Sequence, residues 1–237
     1  IPIAGGKGGV GKSLIAANLA IALAQSGAKT YLVDMDLGAS NLHLILGEYG
    51  VKKGIGTFLT KKTKFSDIIR ESQYENLFFI PGDSEIPGFA ALKVGQRNLL
   101  AKEFVKLKAD YLIIDLGAGT HMGVLDFFLL SARGLVVTAP TVTATLDAYV
   151  FLKNAVFRMM ANAFPTKSKG GIYLDELRHD SSSMQMMYIP KITEKLKDID
   201  PNNAKKFLKM LEKFKPRLIM NMVGDPKDAD KALKIRR

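Results

Sequence analysis

Eight residues near the start of the chain, Gly6-Lys7-Gly8-Gly9-Val10-Gly11-Lys12-Ser13, carry the sharpest chemistry in the sequence. They satisfy G-x-x-x-x-G-K-[ST], a spacing suited to holding phosphate. Glycines let a loop turn its amide N–H groups toward phosphate oxygens. A helix starting at Ser13 points its positive end at the same anion. Lys12 reaches the β- and γ-phosphates, and the Ser13 hydroxyl is a Mg²⁺ ligand by type and place. Gly6, Gly8 and Gly11 also spell G-x-G-x-x-G, a dinucleotide fingerprint, with Asp34 roughly where a ribose-binding acid belongs. Three features count against that reading. Lys12-Ser13 follows at once, Lys7 adds a second cation, and Asp115 supplies a metal partner at the end of another buried strand.

The acids fall at strand ends. Asp115 closes the apolar run YLIID and precedes Gly117 and Gly119. A carboxylate there lies at the ligand-binding edge of a parallel sheet and can hold Mg²⁺ through its water shell. Asp34 and Asp36 form a D-x-D pair after the second strand. Residues i and i+2 of an extended segment face the same way, so both carboxylates are expected to face the metal and the attacking water. Asp36, further into the loop, is the favoured group for orienting that water.

The elements that must position these residues follow from the apolar pattern. Short apolar runs alternate with helix-like segments, which predicts a parallel sheet covered by helices. Strands are expected at Ile1–Ala4, Lys29–Asp34, Leu77–Ile80, Tyr111–Asp115, Leu135–Ala139 and Arg217–Met222. Helices are expected at Ser13–Ser26, Asn41–Leu46, Ile55–Leu59, Phe65–Glu71, Gly95–Leu107, Val124–Ser131 and Ala144–Ala161. The stretch 162–216 shows no strand pattern and reads as a helical insertion, with helices near Asp175–Met187, Pro190–Leu196 and Asn203–Phe214. A last helix begins at Lys227–Ile235. Such a helix normally returns to a strand, so one or two further strands are expected beyond Arg237, and a segment before Ile1. The whole chain, 1–237, is read as one mostly parallel α/β domain with helices on both faces.

Composition narrows the classes. With 237 residues, 47% hydrophobic and 24% charged, the chain is globular rather than disordered. It has 0 cysteines, which excludes disulfides, thiolate metal sites and cysteine nucleophiles and fits an intracellular home. No apolar run stays uncharged for the roughly 18–20 residues of a membrane helix. The net charge of +11 is uneven: residues 1–165 hold 17 Lys/Arg against 13 Asp/Glu, whereas 166–237 hold 17 against 10. Lys205, Lys209 and Lys213 recur along one helix face, read as a solvated face, with nonspecific DNA or anionic lipid as the sharper alternative. His43, His121 and His179 share no ligand spacing and read as ordinary polar residues. Met159, Met160, Met184, Met186 and Met187 read as core filling.

Taken together, KGGVGKS (7–13), VDMDLGASNLHLILG (33–47), YLIIDLGAGT (111–120) and IMNMV (219–223) resemble the MinD/ParA family of deviant Walker A P-loop ATPases. The wording DLGAG and LDFFLLSA is most similar to FlhG-type regulators of flagellar number. The resemblance implies a P-loop NTPase fold and a nucleotide cradle of Gly6, Lys7, Gly8, Gly9, Val10, Gly11, Lys12, Ser13 and Leu14, with Asn221 reading adenine. It implies Mg²⁺ held by Ser13, Asp36 and Asp115, and hydrolysis of ATP to ADP depending on Lys7, Lys12 and Asp36. Lys7 would reach a partner's nucleotide across an ATP-dependent homodimer, with Asn41 near the interface. An unidentified activating protein would stimulate turnover in a cytoplasmic protein that positions a flagellum or septum. A peripheral membrane contact is open, and a DNA-partitioning role is the alternative. The FlhG-type N-terminal activator segment and the MinD-type C-terminal membrane helix are not in this chain; Lys227–Arg237 is too short to be such a helix. Cluster-carrying relatives of the superfamily use cysteines, which argues against that branch.

Overall fold

The computed structural model describes residues 1–37, 40–60, 62–82, 92–179 and 188–228. Seven strands form one sheet: β1 (Pro2–Ala4), β2 (Thr30–Met35), β3 (Arg70–Glu71), β4 (Leu77–Ile80), β5 (Tyr111–Leu116), β6 (Leu135–Thr138) and β7 (Arg217–Met220). Their order is β3-β4-β2-β5-β1-β6-β7, and every pairing but β3–β4 is parallel. Parallel strands need crossovers, and the helices supply them: α1 (Lys12–Gln25), α2 (Leu42–Ile45), α3 (Ile55–Leu59), α4 (Val94–Lys106), α5 (Met122–Phe128) and α6 (Val142–Ala163). The α/β architecture expected from the pattern is the one observed.

α1 is built for close approach. Its inner face is Ala16, Ala17, Ala20 and Ala24, all buried, and it packs on Ile3, Leu32, Phe79, Ile113 and Val137. Gly27, at φ 91°, ends it in the left-handed region that a side chain would strain. Side chains alternate along a strand, so Asp34 and Asp115 share the α1 face with Leu32 and Ile113. Met35 and Leu116 point to the opposite face, toward Val124 and Phe127 of α5.

One local expectation fails. Phe65–Glu71 is not a helix: a 3-10 turn covers Phe65–Ile68, and Arg70–Glu71 pairs antiparallel with Phe78–Phe79 at the sheet edge. Two residues are too few to show a period, and the unpaired backbone of β4 recruits them. The expected C-terminal helix starts as a 3-10 turn at Pro226–Asp228, and its remainder lies outside the described residues, as do Met184, Met186 and Met187.

The chain divides into two compact units, 1–152 with 216–237, and 153–215. The second starts inside α6, earlier than the 162–216 segment expected. It contains α7 (Lys169–His179), α8 (Ile189–Ile199) and α9 (Pro201–Lys213). Met159, Met160, Ile192, Leu196, Ala204 and Phe207 are buried in it. Asp200 caps α9 by accepting from the Asn203 backbone at 3.4 Å, with Pro201 opening the helix.

In the first unit Phe128 is fully buried, edge-on to Phe151 with ring centroids 4.9 Å apart. The substitution Phe128→Ala is expected to cost about 3–5 kcal/mol. Urea unfolding should show a lower midpoint with little change in slope.

Candidate functional site

The loop between β1 and α1 has one open side and one crowded side. Nothing lies within 4 Å of a Cβ built on Gly8 or Gly9, so their backbone borders free space. Gly6 packs against the backbone of Asp147 in α6, and Gly5 has the Val137 carbonyl 2.8 Å from where a Cβ would stand. Gly11, at φ 87°, is the N-cap of α1, and a side chain there would meet the Asn221 amide. A side chain at any of these crowded positions would displace the loop. The open side is a cradle with amides and a helix N-terminus behind it.

Two lysines serve different directions. Lys12 is buried, and its aliphatic stem lies against Gly5. Its charge acts on Asp115 and stabilises the carboxylate. Lys7 is exposed, and its ammonium donates to Thr143 Oγ1 at 3.0 Å, at the start of α6. The structure therefore places Lys7 along α6 rather than inward over the loop.

The carboxylates meet at the carboxyl ends of adjacent strands. Asp34 and Asp115 are register partners in β2 and β5, and each is 1% exposed. Burial pushes the Asp115 carboxyl up from 3.8 to about 7; a hydrogen bond from Ser13 and the charge of Lys12 oppose this, while Asp34 and Asp36 reinforce it. Oδ1 of Asp115 is buried with no hydrogen-bond partner. Burial raises Asp34 as well, against its hydrogen bonds. A buried acceptor with nothing to accept from is costly, and a cation or its bound water satisfies it.

The D-x-D pair does not act as two equal ligands. Asp34 is taken up by its own loop: it accepts from Ser40 Oγ at 2.7 Å and from the backbone amides of Asp36 and Leu42 at 3.1 and 3.2 Å. Ser40 Oγ also lies 3.1 Å from the Gly82 carbonyl, so its one O–H is shared between that oxygen and Asp34 and ties the loop to the end of β4. Asp36 is the freer acid. It is half-buried beside Gly117, where a Cβ would stand 3.2 Å from its Oδ1. The two acids thus differ in how far their own loop already satisfies them.

Of the remaining expected residues, Asn221 meets the phosphate loop and Asn41 lies apart from it. Asn221 follows β7; its backbone amide donates to the Thr138 carbonyl at 2.8 Å and its side chain to the Val10 carbonyl at 3.0 Å. The Val10 side chain is core, and Leu14 is half exposed on the first turn of α1. Asn41 is the N-cap of α2 without a side-chain cap bond. Ser40, Thr143 and Asp147 were not singled out in the sequence. No motif marks them, because each acts by touching a residue brought close only by the fold.

Ser13, Lys12, Asp115 and the open glycines suit Mg²⁺ with a phosphorylated nucleotide. Among the described residues no three His, Cys, Asp or Glu side chains are gathered into a protein-only metal cage. A Mg²⁺ site completed by phosphate oxygens needs none.

A phosphate loop entering a helix, two buried acids at neighbouring strand ends and a mostly parallel sheet define a P-loop nucleotide-binding domain. The chain belongs to the CobQ/CobB/MinD/ParA nucleotide-binding domain family, whose profile matches residues 1–234. It is 38% identical over 157 residues to the flagellum site-determining protein YlxH of Helicobacter pylori, covering 65% of this chain and 52% of that protein. It is 37% identical over 157 residues to the septum site-determining protein MinD of the same organism, covering 62% and 55%. MinD from Pyrococcus horikoshii, solved with Mg-ADP, superposes with a TM-score of 0.54 at 30% identity over 65% of this chain and 64% of that one. The apo McdA of Cyanthece shares the fold over 99% of this chain, at 17% identity and TM-score 0.57, covering 79% of McdA. The chain spans about half the length of the curated relatives it matches.

Asp115 supplies a pH test. Its folded-state pKa lies above its unfolded value, so the folded state holds the proton more tightly. The stability from this group is full below about 4 and is lost as pH rises to about 7. Asp115→Asn is expected to stabilise the nucleotide-free protein at pH 8 by up to about 4 kcal/mol, at ~1.4 kcal/mol per pKa unit. Melting temperatures from pH 5 to 8 should fall for the parent and flatten for the variant.

Proposed function

We propose that this chain is a Mg²⁺-dependent ATPase that dimerises on ATP and acts as a switch in positioning a cellular structure, in the manner of MinD and FlhG-type proteins. The unpartnered Oδ1 of Asp115, buried beside Ser13 and Lys12 under an open glycine loop, carries this reading. Gly6 to Leu14 would form the nucleotide cradle, with Lys12 on the phosphates and Asn221 at the base. Ser13, Asp115 and the outer acid Asp36 would hold Mg²⁺, which when bound neutralises charge on the phosphates. Asp36 would orient a water toward the terminal phosphorus. In hydrolysis the water oxygen bonds to that phosphorus, its bond to the bridging oxygen breaks toward ADP, and the water proton leaves with inorganic phosphate.

Lys7 would change partners on dimerisation, leaving Thr143 for the other protomer's nucleotide. A dimer makes the activity responsive to concentration and to an activating protein, whose identity is open. The protein would work in the cytoplasm. No helix of the described residues is long and apolar enough to cross a membrane, so any membrane contact through them would be peripheral.

Three substitutions separate these roles. Lys12→Ala is expected to abolish nucleotide binding by calorimetry. Asp36→Ala should bind ATP and elute as a dimer while releasing no phosphate. Lys7→Ala should bind nucleotide as a monomer; a dimer on size exclusion with ATP would remove the cross-subunit role.

A second reading, DNA partitioning, draws on the second unit. Lys205, Lys206, Lys209 and Lys213 of α9 and Lys191, Lys195 and Lys197 of α8 are all exposed. If these bind DNA, affinity should fall steeply with salt, with a log–log slope near −0.9 per phosphate contact. Absence of binding to duplex DNA at low salt would remove this reading.

A further inference from the structure

Among the described residues, two that are not glycine hold a left-handed backbone: Asn76 at φ 63° and Met222 at φ 58°. Asparagine tolerates that region, because its short polar side chain bonds locally. Asn76 also stands directly before β4, where its carbonyl accepts from the Thr30 amide at 2.9 Å. Methionine has no such local bond to make, and a bulky side chain is strained there. Met222 is 59% exposed, so burial does not offset the strain. Strained residues that packing does not explain gather at ligand sites.

The surroundings of Met222 say which ligand. It follows Asn221, whose backbone amide donates to Thr138 and whose Nδ2 donates to the Val10 carbonyl. The loop after β7 is thereby pinned to the phosphate loop. From that anchor the Met222 side chain runs to the N-cap of α1, where its Cε lies 3.9 Å from the place of a Cβ on Gly11. The strained backbone thus sets an exposed thioether beside the phosphate loop. Asn221 has one group left over. With Nδ2 given to Val10, its Oδ1 has no donor among the described residues and is not sealed from solvent.

We propose that Met222 is a base-contacting residue, its thioether packing on the face of the nucleobase whose edge Asn221 meets. The inference rests on the nucleotide-binding reading above. Methionine brings no charge and no strong hydrogen-bonding atom, so it serves neither phosphates nor ribose hydroxyls. It suits a flat aromatic ring, through the contact that a polarisable sulfur makes with one. Oδ1 of Asn221 only accepts, so it fits an amino group on the base edge and opposes an oxo group. Adjacent residues then take the edge and the face of one base, while the open glycines and Lys12 take the phosphates.

The test separates base from phosphates by offering the 237-residue chain ATP or inorganic tripolyphosphate, each with Mg²⁺. Met222→Gly removes the side chain and keeps the left-handed backbone without strain. Calorimetry is expected to show ATP binding weakened about two- to tenfold, the range of a lost sulfur–aromatic contact. Tripolyphosphate affinity should be unchanged, and the melting temperature of the nucleotide-free chain no lower. Met222→Leu, which keeps an apolar arm, should recover part of the ATP affinity. In carbon-13 methyl spectra of the methionines, the resonance that Met222→Leu removes should move with ATP, by the ring current of the base, and not with tripolyphosphate. Equal losses for ATP and tripolyphosphate in Met222→Gly would make Met222 a brace of the phosphate loop and overturn the base contact. Unchanged ATP affinity in that variant, or a methyl resonance indifferent to ATP, would overturn it as well. A wild-type chain that binds neither ATP nor tripolyphosphate would instead remove the nucleotide-binding reading, and this inference with it.

Discussion

Two carboxylates buried side by side set the terms for this site. Asp34 and Asp115 end neighbouring strands, each almost fully withdrawn from water. Like charges this close oppose one another's ionisation, and burial opposes both. Asp34 is offset by three donors from its own loop, and Asp115 by Ser13 and Lys12. The offset at Asp115 is incomplete, and one oxygen remains without a donor. A site in that condition favours an added cation, and the surrounding groups are those that bring one with phosphate.

The loops are arranged by the same need for donors. Asp34 gathers Asp36, Ser40 and Leu42 because its oxygens require partners, and Ser40 carries that order on to Gly82. The phosphate loop is braced from two other directions, by α6 at Gly6 and Lys7 and by Asn221 at Val10. These contacts join residues 136 and 211 positions apart in the chain. α6 runs into the second unit, and the chain returns from it through β7. The segment between two of the loop's braces is therefore the helical one. The basic excess is also concentrated toward this part of the sequence, and the exposed lysines of α8 and α9 belong to it.

Much of this was legible in the residues. G-x-x-x-x-G-K-[ST] marks the cradle because phosphate geometry dictates glycine, lysine and a hydroxyl at fixed spacing. Apolar runs ending in Asp place Asp34 and Asp115 at strand ends, since buried parallel strands are apolar throughout. The alternation of runs and amphipathic segments yields the parallel sheet. The two-residue strand β3 escaped, because it exists only through the edge it pairs with. The sequence favours Asp36 over Asp34 by its place in the loop, but the donors that take up Asp34 escaped. Both are acids in an extended D-x-D, and the donors from Ser40 and Leu42 are set by the fold.

By itself, then, the sequence determined the fold class, the phosphate loop and the acids at the strand ends, because these depend on local residue type and short spacing. Tertiary structure alone decided which donors take up Asp34, where Lys7 rests and what braces the phosphate loop. Those depend on donors and acceptors brought together across the sheet, and a buried carboxylate takes whichever donors the fold leaves within reach.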